Sequence, residues 1–286
     1  MKRLIVNADD FGMTAEISRG ILAAALAGMV LQTTAMASSP ALEESLSLLE
    51  SSGADLDVGL HATLTWGAPI LPPSDIPTLV GPDGRFLSRA ALMRRAVLGG
   101  VSVDEAYREL RAQCEKLISL RGGVTHLDGH HHVHVFPTIS LAAERVAEKF
   151  GIRYVRSPVE GRWSSLKLSP LRRMAVAVLP ASSPGFWRRR GFCTSDHFGG
   201  FSLGAGEGLK ERWISAIKAM REGTTEVMVH PGYPSETTDP YNREREDEVK
   251  ALTDRALLDA AADCGIAVSR IREVAGLAEG AGSTRS

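Results

Sequence analysis

Residues 125–134, Thr-His-Leu-Asp-Gly-His-His-His-Val-His, put five imidazoles and one carboxylate into ten positions. Read as extended backbone, side chains alternate faces with a period of two. His126, Asp128, His130, His132 and His134 then share one face, and His131 takes the other. So polar a stripe makes a poor packed core, because every buried ring nitrogen would need a partner. Neutral imidazole is, however, the commonest protein ligand for a metal. A solvated histidine tract and a buried hydrogen-bonded network are the structural alternatives. A tag-like tract belongs at a terminus, whereas this one is central and leads into a helix start.

Two other segments supply what such a site would lack. The apolar run Arg3–Ala8 ends abruptly in Asp9-Asp10-Phe11-Gly12. Adjacent carboxylates repel, so a pair at a strand end suggests that something binds there, with one acid turned toward a metal and the other toward water. The alternative is helix N-capping by Asp10, which would use only one of the two. Asp57–Leu64 is a second apolar strand ending in a single histidine, His61. Together the three strand ends offer Asp, His and His, a set that leaves coordination positions open for water and substrate.

These residues must be positioned by the elements around them. Short apolar runs alternate with longer helical patterns, the signature of strand-helix units around a parallel sheet. Strands are expected near 3–8, 31–37, 56–61, 124–128, 153–156, 194–199, 225–229 and 266–268. Helices are expected at 14–28, 41–53, 103–121, 137–150, 207–222 and 243–264. Helix 103–121 carries Ala106, Leu110, Leu117 and Leu120 as an apolar face. The fold class is therefore α/β, a single TIM-like (β/α) barrel over residues 1–278, of eight strands or an irregular seven, with a disordered tail at 279–286. The polar candidates fall at the carboxyl ends of strands, where the loops of such barrels converge and carry the chemistry.

Two stretches interrupt the alternation. Residues 66–100 hold five prolines and read as a long loop with a short helix. Residues 157–192 are basic and aromatic, with Trp163, Trp187 and Arg188-Arg189-Arg190. They read as a solvated excursion over the barrel, as a lid whose tryptophans stack on sugar rings, or as a contact for an anionic membrane surface.

The chain has 286 residues, 44% of them hydrophobic, and a formal net charge of −1. That supports a sizeable core and gives no reason to expect a nucleic-acid partner. Three separated cysteines, Cys114, Cys193 and Cys264, point to a reducing compartment, and a cytoplasmic location is expected. Residues 19–37 imitate a signal peptide ending in Ala35-Met36-Ala37, yet Gly28 and Gln32-Thr33-Thr34 break the apolar run. A first helix followed by a second strand explains that segment better. No run reaches the roughly 20 apolar residues that span a bilayer.

Asn7–Gly12, Gly59-Leu60-His61, His126–His134 and His230-Pro231-Gly232, with Thr194–Phe198 and Tyr241–Glu246 later, occur in an order and spacing that resemble the YdjC-like carbohydrate deacetylases. These are similar to chitooligosaccharide deacetylases and distantly related in mechanism to NodB-type polysaccharide deacetylases. One departure is Gly129, where the chitooligosaccharide enzymes tend to carry Ser. The resemblance implies one divalent cation, Zn2+ or Mg2+, bound by Asp10, His61 and His130, with Asp9 as the base. It implies an N-acetylated sugar as substrate, either a soluble oligosaccharide or a lipid-linked acetylglucosamine as in the hopanoid-associated subgroup. His230, ending its strand, is placed either as the general acid or as a structural residue before a Pro-Gly turn. Asp128, His132 and His134 are expected behind the ligands, orienting their rings. Asp196 and His197 are read as substrate contacts or a structural ion pair. Arg245 either positions the loop after His230 or is an exposed helical arginine. A metal-dependent phosphoesterase, which would need a second metal through Asp128 or Asp196, and a non-catalytic carbohydrate- or metal-binding protein are the competing classes. A homodimer through surface helices is compatible with such a barrel.

Overall fold

The computed structural model describes residues 1–161, 179–236, 241–242 and 244–277. Eight parallel strands appear in chain order. They are β1 (Lys2–Phe11), β2 (Gln32–Ala35), β3 (Asp57–Ala62), β4 (His126–Gly129), β5 (Tyr154–Val155), β6 (His197–Gly199), β7 (Gly223–Val229) and β8 (Ile266–Val268). Seven follow one path, β5-β4-β3-β2-β1-β7-β6, and the eighth pairs with β1. β7 pairs with β1 from Lys2 to Ala8, while β2 begins pairing only at Asn7. The edge of β1 left below β2 is taken by β8, opposite Lys2–Leu4. The outer strands approach through isolated parallel bridges, Tyr154 with Cys193 and Glu160 with Phe198. The result is a curled (β/α) barrel, as the alternation of the sequence indicates.

Helices pack outside the sheet: α1 (Ala15–Leu26), α2 (Leu42–Ser52), α3 (Arg89–Val97), α4 (Val103–Arg121), α5 (Ile139–Lys149), α6 (Pro184–Arg188), α7 (Leu209–Lys218), α8 (Arg245–Leu252), α9 (Ala256–Asp263) and α10 (Ile271–Val274). Local signals explain their starts. Thr14, Ser88 and Ser102 each accept a backbone N–H from the first turn of α1, α3 and α4, satisfying a donor that would otherwise be orphaned. The segment that imitates a signal peptide supplies α1 and β2. No helix among the described residues is long and apolar enough to cross a membrane.

Three expectations about elements are corrected. The single helix expected at 243–264 is two, because Asp254 turns back to accept the N–H of Ala256 and starts α9 afresh. The buried face of α4 includes Glu109 and Gln113, whereas Leu120 is 38% exposed. Glu109 accepts the N–H groups of Ile70 and Leu71, and Gln113 bonds both the N–H and the C=O of Thr63. These polar residues are buried because they hold the loop that follows β3. Finally, β6 begins at His197 rather than at Thr194.

The barrel interior is polar where it nears the site. His126 Nε2 lies 2.9 Å from Asn7 Oδ1, and the imidazole runs against Gly59. A Cβ at Gly59 would come within 2.6 Å of the His126 ring, so only glycine lets the imidazole cross beneath β3. Gly59→Ala is expected to destabilise the protein by about 1–3 kcal/mol through overpacking, and a thermal melt within a degree of the parent would contradict this.

Candidate metal and active site

β1 carries two carboxylates that its carboxyl end sends apart. Asp10 sits at φ 69°, in the left-handed region, where a non-glycine residue is strained. That twist separates the two adjacent acids. Asp9 faces Arg156, whose two terminal nitrogens reach its two oxygens at 2.6 and 2.8 Å, and Asn7 Nδ2 adds a donor at 2.8 Å. Asp10 turns the other way. Its Oδ1 lies 3.2 Å from His61 Nε2 and 2.9 Å from His130 Nδ1, while Oδ2 accepts from Arg245 at 2.6 Å.

Register brings the remaining groups to the same rim. His61 on β3 is paired in register with Asp128 on β4. Its Nδ1 lies 2.6 Å from Asp128 Oδ1 and 3.0 Å from Thr34 Oγ1. Asp128 Oδ2 accepts from Thr34 at 3.1 Å and from Arg156 at 2.6 Å. Asp128 thus stands behind His61 and aims Nε2 at Asp10, the carboxylate–imidazole support found behind metal-binding histidines. Ala8 pairs with Val229, so His230 leaves β7 level with Asp9. The His230 ring stacks on Tyr241 with centroids 5.1 Å apart and planes at 8°, and the backbone N–H of His230 is donated to Glu248.

Burial and pairing oppose each other in the electrostatics. Desolvation would raise the Asp9 and Asp10 carboxyls, but Arg156 beside Asp9 and Arg245 beside Asp10 hold both well below the usual carboxylate range. Burial would lower the His61 imidazole, yet Asp128, Asp10 and Asp9 raise it to about 10. The Arg156 guanidinium is held protonated by Asp128, Asp9 and Glu226 despite its burial. Glu226 Oε1 accepts from Arg156 Nε at 2.6 Å, and its other oxygen accepts from the Tyr154 hydroxyl at 2.7 Å.

A scan against family models matches residues 3–263 to the YdjC-like protein family. The chain belongs to the YdjC-like family. A carbohydrate deacetylase of Geobacillus stearothermophilus is 34% identical over 274 residues, 94% of this chain and 96% of the relative. A human carbohydrate deacetylase is 33% identical over 82% of this chain and 76% of its own length. Among solved structures, a putative cellobiose-phosphate cleavage protein of Enterococcus faecalis superposes with a TM-score of 0.76 at 25% identity, covering 95% of this chain and 98% of that one.

The YdjC-like protein brings Asp10 Oδ1, His61 Nε2 and His130 Nδ1 together, all within 4.8 Å of one another. One oxygen and two nitrogen donors suit a divalent cation of borderline softness. The surrounding charge fits as well. Asp9, Asp10, Asp128 and Glu226 are buried carboxylates, and Arg156 and Arg245 are the buried guanidiniums that pair with them. With neutral imidazoles this leaves two negative charges uncompensated, which one dication would balance.

Several sequence expectations are relocated. The stripe of alternating histidines stops at Gly129, because His131 and His132 take φ values of 54° and 58° and the backbone coils into a 3-10 turn. His132 therefore packs edge-on to Phe198 and Phe201, and His134 Nε2 meets the carbonyl of Arg156 at 3.0 Å. Neither is hydrogen-bonded to a ligand candidate, so the expected place directly behind the ligands is taken by Asp128 alone of the three. His131 lies against the His130 ring, with centroids 4.0 Å apart, and contacts Thr65 Oγ1 at 3.0 Å. Asp196 and His197 lie at the amino end of β6, on the rim opposite the site. Asp196 pairs with Arg188 and accepts the Thr224 N–H, and His197 Nε2 meets Glu222 O, so the substrate-contact alternative falls. Arg245 is 1% exposed and holds Asp10, which overturns the exposed-arginine alternative. Trp187 is fully buried against Phe186 and Phe192, so it offers no sugar platform. Trp163 and the tail at 279–286 lie outside the described residues.

Arg156 and Glu226 were missed by sequence reasoning. The signal was clearest for Glu226, a lone charge in the apolar strand run Thr225-Glu226-Val227-Met228-Val229, and weaker for Arg156, which follows Arg153 in Arg153-Tyr154-Val155-Arg156. A charge so placed needs a buried partner.

Proposed function

We propose that this YdjC-like protein is a metal-dependent hydrolase that removes the acetyl group from an N-acetylated amino sugar. The carrying observation is the convergence of Asp10, His61 and His130 beside a second, separately held carboxylate, Asp9. Asp10, His61 and His130 would hold one divalent cation, zinc or magnesium. When bound, such an ion polarises a carbonyl and acidifies water.

The chain's own groups supply the rest. Asp9 stays ionised through the neutral range, the form that takes a proton from an attacking water. Arg156 fixes its orientation on both oxygens, at some cost in basicity. His230, level with Asp9 on the neighbouring strand, would give a proton to the departing amine. Asp128 and Thr34 hold His61 Nδ1, so the ring cannot turn its other nitrogen from the cluster. The names of the deacetylase relatives support a carbohydrate substrate, either an oligosaccharide or a lipid-linked sugar. Asp9, His61 and Asp128 form a second group of donors within 4.8 Å of one another, but the Arg156 guanidinium already occupies Asp9 and Asp128 at 2.6 Å, which favours one metal over the two of a phosphoesterase.

The test is acetate release from a panel of acetylglucosamine oligomers and lipid-linked acetylglucosamine, with metal content measured on the same sample. One metal per chain and release from at least one member is the expected result. Full metal occupancy without acetate from any member would overturn the reading, as would two tightly bound metals with phosphoester hydrolysis.

Loading should be coupled to protons. In the metal-free protein His61 is protonated up to about 10, and a cation needs its Nε2 lone pair, so affinity should fall by about tenfold for each pH unit of acidification. Titration calorimetry in buffers of different ionisation heat should report the released proton, and an affinity constant across the neutral range would contradict it. The same raised imidazole favours the metal-free fold below the ordinary histidine pKa, and this contribution is lost as pH climbs through about 10.

A further inference from the structure

The strand-to-helix excursion after β3 ends in an exposed tip whose chemistry the hydrolytic site does not use. From Arg85 to Leu98 the chain carries Arg85, Arg89, Arg94 and Arg95 and no acidic residue, in a protein whose net charge is −1. The side chains of Arg85, Arg89 and Arg94 are exposed and make no ion pair among the described residues, although the neighbouring Asp83 carboxylate accepts the Arg85 backbone N–H at 3.1 Å. Arg95 is turned back to the carbonyls of Pro77 and Thr78. α3 buries Leu92 and Ala96, which anchors it, but leaves its carboxyl end apolar and open. Val97 is 61% exposed and Leu98 is 74% exposed. They are adjacent, followed by Gly99-Gly100, and Arg94 lies one helical turn before them.

We propose that this tip of α3 docks the protein on an anionic lipid surface, with Val97 and Leu98 entering the interface and Arg85, Arg89 and Arg94 meeting acidic headgroups. Apolar side chains beside cationic ones, on an element of low overall hydrophobicity, are what an interfacial contact requires. Each arginine near an anionic leaflet adds attraction that is screened by salt. A surface built to meet protein would more commonly pair these arginines or bury the two aliphatics in a wider apolar core.

Position gives the docking a consequence. The excursion leaves from the carboxyl end of β3, the rim that holds His61. Phe86 N–H is donated to Gly67 O in the loop following that strand. A docked α3 therefore holds the mouth of the barrel near the headgroup layer. The docking itself does not depend on the hydrolytic reading, and either can fail without the other.

The experiment is co-sedimentation of the full chain with vesicles of phosphatidylcholine alone and of phosphatidylcholine mixed with phosphatidylglycerol, at low and high salt. Binding only to the mixed vesicles, weakened by salt, is expected. It should drop by ~10-fold or more in a Val97→Ser/Leu98→Ser double variant and in an Arg85→Gln/Arg94→Gln double variant. All four side chains are exposed, so thermal melts should stay with the parent. No binding to acidic vesicles, or binding indifferent to both double variants, would overturn the proposal. So would a dimer in solution that Val97→Ser/Leu98→Ser dissociates without any vesicle binding, since the tip would then be a contact between copies of this chain.

Discussion

Asp9→Asn is expected to lower acetate release by about 10²–10⁴-fold, the range that a positioned proton acceptor contributes, with metal occupancy and KM near those of the parent. The asparagine keeps one oxygen for the Arg156 fork but turns an amide N–H₂ toward the other guanidinium nitrogen, which in the parent meets a carboxylate oxygen at 2.6 Å. It cannot accept a proton at neutral pH. Asp10→Asn predicts a different signature. That carboxylate is a donor of the cation cluster and the partner of Arg245, so its replacement should reduce metal content first and activity as a result. The two variants separate base from ligand, an assignment the residue pair Asp9-Asp10 leaves open by itself. Asp9→Asn within a few-fold of the parent, at full metal occupancy, would remove Asp9 from the reaction.

The barrel was legible because its signals are local and repeated. Each apolar run of β1, β3 and β7 ends in a polar residue, and the runs between them have helical spacing. The candidate ligands were legible for the same reason, as chemically unusual residues closing apolar strands. What failed was extrapolation along the chain. The histidine run has a strand's alternation only to Gly129, since two residues then enter the left-handed region and no pattern of side-chain polarity reports a reversal of backbone hand. Arg156 and Arg245 were misjudged for a different reason. Their importance comes from partners 147 and 235 residues away, and a single arginine carries no mark of which distant carboxylate it will meet. Asp196 and His197 show the converse error: a strand expected from 194 begins only at His197, so both residues stand at its amino end, away from the site.

Arg156 is where the largest loss of stability is expected. Its guanidinium touches Asp9, Asp128 and Glu226, all buried, so Arg156→Leu would strand three carboxylates without their shared cation. Removing one partner from a buried ion pair costs about 3–5 kcal/mol, which corresponds to a melting temperature lower by about 10 °C in a chain of this size. The pH dependence should change sign as well. In the parent, Asp9 and Asp10 have depressed folded-state pKa values. Their contribution is present above the ordinary carboxylate pKa and is lost as pH falls through the depressed values. In Arg156→Leu, burial without a cation raises the carboxyls that Arg156 had held down. The destabilisation is then greatest at neutral pH and shrinks on acidification, as those groups take up protons. Glu226→Gln tests the same network from the other side. Desolvation already raises Glu226 above the usual carboxylate range despite Arg156 and Tyr154, so neutralising it should cost less than losing the arginine. The double variant Arg156→Leu/Glu226→Leu should be less destabilised than the sum of its parts, because the second change removes a charge that the first left unpaired. Strict additivity, or a loss in Arg156→Leu that grows on acidification, would show that Arg156 does not serve as the buried counter-charge for this cluster.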